Sequence, residues 1–131
     1  MSAQRELVRA RAGRRCEYCH MPDFALDPAD FHVEHILARQ HGGTDEPGNL
    51  AWACAFCNLY KGPNLTSLDP DTGELVPLFH PRRDSWDEQF ALVGSRIEGK
   101  TPKGRTTAWL LQMNSPSYLA LRASLIAEGR F

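Results

Sequence analysis

The sequence predicts a small mixed α+β domain: a short hairpin and a following helix, drawn together by cysteines and flanked by helices at both ends. Three observations carry this. Two Cys-x-x-Cys pairs, Cys16/Cys19 and Cys54/Cys57, frame a segment with 34 residues between its inner cysteines. Inside that frame, short strand-like runs alternate with loops marked by Gly42-Gly43 and Pro47-Gly48. Helical patterns open and close the chain. At 131 residues it is expected to form one domain spanning 1–131, large enough for a modest core.

The elements follow in order. Ser2 to about Arg14 reads as a helix, with Ser2 as cap and Leu7, Val8 and Ala12 as its apolar side. Cys16 to Cys19 is a tight turn. Phe31 to Glu34 is a short strand, Trp52 to Cys54 a second, and Cys57 to about Lys61 begins a helix. A Pro-, Gly- and Asp-rich stretch, Gly62 to Gly73, reads as irregular. Trp86 to Val93 and Arg96 to Glu98 read as a hairpin around Gly94-Ser95. Arg105 to Met113 and Tyr118 to about Ala127 are expected helices, separated by Asn114-Ser115-Pro116.

Charge excludes little by its sum. The net charge is −1, without the overall basic excess of many nucleic-acid binders. The distribution says more. Five basic residues lie in the first fifteen (Arg5, Arg9, Arg11, Arg14, Arg15), and Arg82-Arg83 and Arg96 to Arg105 form further groups. Taken alone, such clusters read as solvated surface. The first fifteen residues hold no apolar segment of the kind a secretory leader needs. No run approaches the roughly 18 apolar residues of a membrane span. A cytoplasmic setting is expected, where thiols stay reduced.

That setting makes metal binding the favoured fate of the cysteines, over a disulfide pair or a dithiol redox site. Zinc prefers a tetrahedron of thiolates, and each Cys-x-x-Cys turn offers two to one ion. Cys16, Cys19, Cys54 and Cys57 together make a closed four-sulfur site with no open position. Its zinc is therefore expected to be structural, clamping distant segments of a small domain.

A second centre is suggested by Glu34, His35 and Asn58. Hydrolysis of a phosphodiester needs an activated water, neutralised charge on the phosphate, and help for the leaving oxygen. Histidine suits the first task near neutral pH. A hard divalent ion suits the others. Carboxylate and amide oxygens, such as those of Glu34 and Asn58, suit Mg²⁺ or Mn²⁺. Each residue alone is a weak signal; their order within the cysteine frame is specific.

The segment Cys16 to Lys61 resembles the HNH endonucleases of the zinc-knuckle, ββα-metal type. The shared features are Cys-x-x-Cys, Glu34-His35-Ile36, Gly42-Gly43, Asn49-Leu50, and Cys54-x-x-Cys57-Asn58 with Lys61 nearby. His35 to Asn49 is 14 positions and Asn49 to Asn58 is nine, similar to the spacing in that family. The resemblance covers about a third of the chain. Parts of the region from about 75 to 131, including Trp86 to Phe90 and Gly104-Arg105, resemble the C-terminal extension of a bacterial subgroup.

The resemblance implies a ββα-metal core with a four-cysteine zinc knuckle. It implies His35 as general base, Asn49 as a brace for the loop that positions it, and Glu34 and Asn58 as ligands of the catalytic ion. Lys61, Arg39 and Arg82 are candidate phosphate contacts, and the implied partner is nucleic acid, namely double-stranded DNA. Four positions depart from the pattern. Asn58 replaces the last histidine, Glu34 an aspartate, Ala38 a proline, and Gln89 an expected histidine.

The other histidines carry less. His32 shares the Glu34 face of an extended strand and is a candidate substrate group, against an ordinary surface histidine. His20 sits beside a site that four cysteines already fill. His41 and His80 read as loop residues, and Trp52 and Trp86 as core. A metal-dependent endonuclease is the expectation. The alternative is a non-catalytic zinc-knuckle module that binds nucleic acid or protein. No recognition helix is evident, so a protein partner for targeting is a further expectation.

Overall fold

The computed structural model describes residues 1–131, the side chain of Pro28 excepted. Its fold is the expected mixed α+β arrangement. Helix α1 (Ala3–Arg11) leads to strand β1 (Phe31–His35), strand β2 (Leu50–Cys54) and helix α2 (Ala55–Lys61). Strands β3 (Thr66–Leu68) and β4 (Leu75–Pro77) follow, then a single helical turn α3 (Trp86–Gln89). Strands β5 (Phe90–Val93) and β6 (Arg96–Gly99) precede helices α4 (Pro102–Leu110) and α5 (Pro116–Ala127). Among the described residues the strands pair as three two-stranded antiparallel sheets, β1–β2, β3–β4 and β5–β6.

The β1–β2 hairpin and α2 form the centre. Phe31 faces Cys54, Val33 faces Trp52, and His35 faces Leu50 across the pair. All of β2 is buried, with α1 and α2 both packed against it. Phe31 and Trp52 stack at 5.5 Å between centroids, each about 1 % exposed. Burying aromatic side chains of this size contributes roughly 1.5–3 kcal/mol apiece. A second aromatic group, Phe79, Phe90 and Trp86, joins the C-terminal region to this centre.

The N-terminal arginines act as clamps. Arg5 donates to Phe31 O at 2.8 Å and lies 4.6 Å over the Trp52 ring. Arg9 pairs with Asp23 at 2.6 Å, and Arg11 donates to the carbonyls of Pro47 and Leu50. Arg5 and Arg11 fasten α1 to the starts of the two strands, and Arg9 fastens it to the segment before β1. A charge cluster that reads as solvated surface is here largely spent on internal contacts.

The sequence reading differs from the fold in several places. Leu7, expected on the apolar side of α1, is 71 % exposed, and Val8 carries the burial. The stretch read as irregular contributes β3 to a hairpin with β4. Trp86 to Gln89 is a helical turn, and the hairpin begins at Phe90. Helix α4 starts earlier than expected, because Thr101 caps it by accepting from Gly104 N and Pro102 occupies its first turn. Pro116 plays the same part in α5, behind the Ser115 cap.

Candidate metal centre and active site

Cys54 ends β2 and caps α2, so the cysteine cluster is built into the central ββα unit. In each Cys-x-x-Cys turn the second backbone N–H points at the first sulfur, Cys19 N to Cys16 Sγ and Cys57 N to Cys54 Sγ, both at 3.5 Å. His20, at φ 63°, turns the chain after the first pair. The four sulfurs lie within 4.8 Å of one another, all four residues are fully buried, and none is in a disulfide. Cys19 Sγ and Cys54 Sγ are 3.8 Å apart. Zn–S bonds of about 2.3 Å in a tetrahedron require S···S edges of about 3.8 Å. The cluster therefore fits one zinc, as a zinc knuckle.

Arg122 was not legible as part of this neighbourhood. It is fully buried, donating to Ser95 O at 2.7 Å and Met113 O at 2.8 Å. Burial pulls its pKa down, and the nearby Cys19, Cys57, Tyr118 and Cys54 offset part of that. A guanidinium here opposes the negative charge of a thiolate cluster. His20 is not a ligand: its ring stacks on Trp86 at 3.9 Å, and Trp86 Nε1 donates to Tyr18 O.

Beside this closed cluster an open cavity of about 570 Å³ is lined by Glu34, His35, Arg39 and Asn58, with Gly62-Pro63 at its edge. The adjacent residues Glu34 and His35 both reach it from β1, and Asn58 reaches it from α2. The loop between β1 and β2 is tightly braced. Asn49 Oδ1 accepts from Leu37 N at 2.8 Å, while its Nδ2 donates to Leu37 O at 3.0 Å and Thr44 O at 2.8 Å. Gly43 has no room for a side chain, since a Cβ would fall 1.7 Å from Leu37 O. That close approach accounts for the second glycine of the pair.

His35 is held by a residue that the sequence reading missed. Its Nε2 lies 2.7 Å from Asp45 Oδ1, and Arg39 Nη2 reaches the same oxygen at 3.1 Å. The hydrogen bonds from His35 and Arg39 hold the Asp45 carboxyl below its usual range. An acid ten positions past the histidine, in a loop, carries no recognisable spacing of its own.

Glu34 is enclosed. It is 4 % exposed, and its Oε2 accepts from Tyr18 OH at 2.7 Å. Burial, with Glu34 adding to it, pushes the Tyr18 hydroxyl well above its ordinary pKa, so it stays a donor. Lys61 is itself only 2 % exposed. Its ammonium lies 2.7 Å from Glu34 Oε1 and donates to Ile36 O at 3.0 Å. The expectation of Lys61 as a phosphate contact does not match this placement, because the side chain folds inward onto the glutamate. Arg82 likewise lies away from the cavity, ion-paired with Glu17 and partly buried. Gln89 is tied to the Thr101 hydroxyl at the start of α4. His32 is exposed on β1.

The donor set fits a hard divalent ion in part. Glu34 Oε1 is a buried oxygen whose partner is the Lys61 ammonium at 2.7 Å, and Asn58 lines the cavity. The Lys61 ammonium is a competing cation on the same oxygen. A larger cavity of about 780 Å³ between α4 and the β5–β6 hairpin contains none of the expected site residues.

A buried four-cysteine cluster welded to a ββα unit, with His35 at an adjoining open cavity, defines a zinc-knuckle ββα domain. Residues 16–64 match the family model described as HNH endonuclease. No curated protein and no solved structure matches the chain. Proteins with this domain are generally nucleases, which points to a nuclease or nucleic-acid-binding role. Among the described residues no helix is long and apolar enough to cross a membrane.

Proposed function

We propose that the chain is a metal-dependent endonuclease that hydrolyses phosphodiester bonds in DNA. The observation that carries this is the meeting of Glu34, His35 and Asn58 at one open cavity beside a separate, closed cysteine cluster. His35 is the general base. With Nε2 engaged by Asp45, it takes a proton from water at Nδ1 while that water's oxygen attacks phosphorus and the bridging P–O bond breaks. Glu34 and Asn58 would hold Mg²⁺ or Mn²⁺, which when bound neutralises phosphate charge and stabilises the leaving oxygen. Arg39, exposed at the cavity, faces the phosphate. Asn49 keeps the loop in place. Duplex DNA as substrate, a cytoplasmic setting and a protein partner for targeting belong to the same proposal.

The Glu34–Lys61 ion pair favours a second reading, a non-catalytic zinc-knuckle module. In that reading the lysine neutralises a carboxylate that no metal needs. Supercoiled-plasmid nicking separates the two. The nuclease reading expects nicking with Mg²⁺ or Mn²⁺, none in EDTA, and a loss of about 10²–10⁴-fold in His35→Ala without a large fall in Tm. Absence of metal-dependent nicking, or His35→Ala cutting like the wild type, would overturn it.

A further inference from the structure

We propose that Asp45 is the positioning residue of the His35 base: its carboxylate fixes the imidazole as the Nε2–H tautomer and leaves Nδ1 open to the cavity. The proposal rests on the reading of His35 as the base. It starts from geometry. His35 Nε2 and Asp45 Oδ1 are 2.7 Å apart, a charge-assisted hydrogen-bond length, and an ionised carboxylate can only accept. The proton between them therefore belongs to Nε2. His35 Nδ1 makes no hydrogen bond among the described residues, and His35 lines the cavity. A neutral imidazole with Nε2–H is unprotonated at Nδ1, the form a base requires.

The loop is built to hold Asp45 in this position. The residue before it, Thr44, has its carbonyl held by Asn49 Nδ2 at 2.8 Å, and its hydroxyl accepts from Glu46 N at 3.3 Å. The residue after it, Glu46, accepts from Asn49 N at 2.8 Å. Asn49 thus fixes both neighbours of Asp45. Arg39 adds a cation on the oxygen that meets His35, which keeps the carboxyl ionised. The Asn49 brace reaches His35 through Asp45: one residue shapes the loop, the next orients the ring.

The test is the ring-nitrogen spectrum of His35. Long-range ¹⁵N–¹H correlation separates the two tautomers, and the His35 signals are identified by their loss in His35→Gln. The wild type should show Nε2–H. Asp45→Ala should shift the population toward the other tautomer, and Asp45→Asn, which can still present an acceptor oxygen, should retain more of the wild-type form. In plasmid cleavage, Asp45→Ala should lower kcat by roughly 10–100-fold with KM unchanged. A wild-type tautomer in Asp45→Ala overturns the proposal, and so does a tautomer shift without loss of kcat. If the wild type cuts no DNA, the nuclease reading fails, and the spectrum still decides whether Asp45 orients His35.

Discussion

The cysteine cluster and the His35 cavity share the same β1–β2–α2 unit yet are made in opposite ways. Four identical ligands in two tight turns make the first. It is fully buried, closed, and complete once β2 runs into α2. The second is assembled from different side chains on β1 and α2 and on the loop between the strands, and it stays open to solvent. Covalent spacing enforces one site. The other depends on a chain of hydrogen bonds from Asn49 through the loop to Asp45 and His35. A closed site suits an ion that must stay, and an open one suits a group that must exchange with substrate and water.

The sharpest way to break the comparison is to damage the closed site. Cys54→Ser removes one sulfur and alters the cap of α2. Structural zinc in small domains is worth about 10–16 kcal/mol of apparent binding energy, comparable to the whole stability of a domain. The variant should purify without zinc and lack a cooperative thermal transition by circular dichroism. A folded variant with an unchanged Tm would show that the cysteines do not carry the fold.

Lys61 tests whether the boundary between the two sites is structural. In the present account Lys61→Met leaves Glu34 as an unpaired buried carboxylate, a loss of roughly 3–5 kcal/mol read by denaturant unfolding. Normal stability with weakened DNA binding would return Lys61 to the role of phosphate contact that its sequence position suggested.

The smallest effect lies far from both sites. Arg105 holds the Asp69 carboxyl well below its ordinary range through hydrogen bonds of 2.9 and 2.5 Å. Because the folded pKa is below the unfolded one, this contribution is present above about pH 4 and is lost as pH falls through the folded value. Asp69→Asn should lower Tm modestly at pH 7, with the gap to wild type closing in acid. A gap independent of pH would place the effect elsewhere.

Legibility followed the same division. Cysteine spacing showed the closed site whole, because two Cys-x-x-Cys turns have few other uses among reduced thiols. His35, Asn49 and Asn58 were singled out because their order and spacing are tied to that frame. Asp45 and Tyr18 were not, since a loop acid and a core tyrosine gain meaning only from what they touch. The inward fold of Lys61 onto Glu34 was not legible, because its position after Asn58 says nothing of which way a long side chain folds. The β3–β4 hairpin hid in a stretch rich in turn-forming residues. The N-terminal arginines read as solvated surface and are largely internal clamps.

The most direct test asks whether the two sites part company under a chelator. Purified protein is dialysed gently against EDTA, its zinc content is measured by elemental analysis, and plasmid nicking is assayed before and after adding Mg²⁺ or Mn²⁺. The account predicts about one zinc per chain retained by the four thiolates, nicking abolished, and nicking restored by Mg²⁺ or Mn²⁺ without added zinc. Zinc and nicking lost together, with only zinc restoring activity, would contradict it.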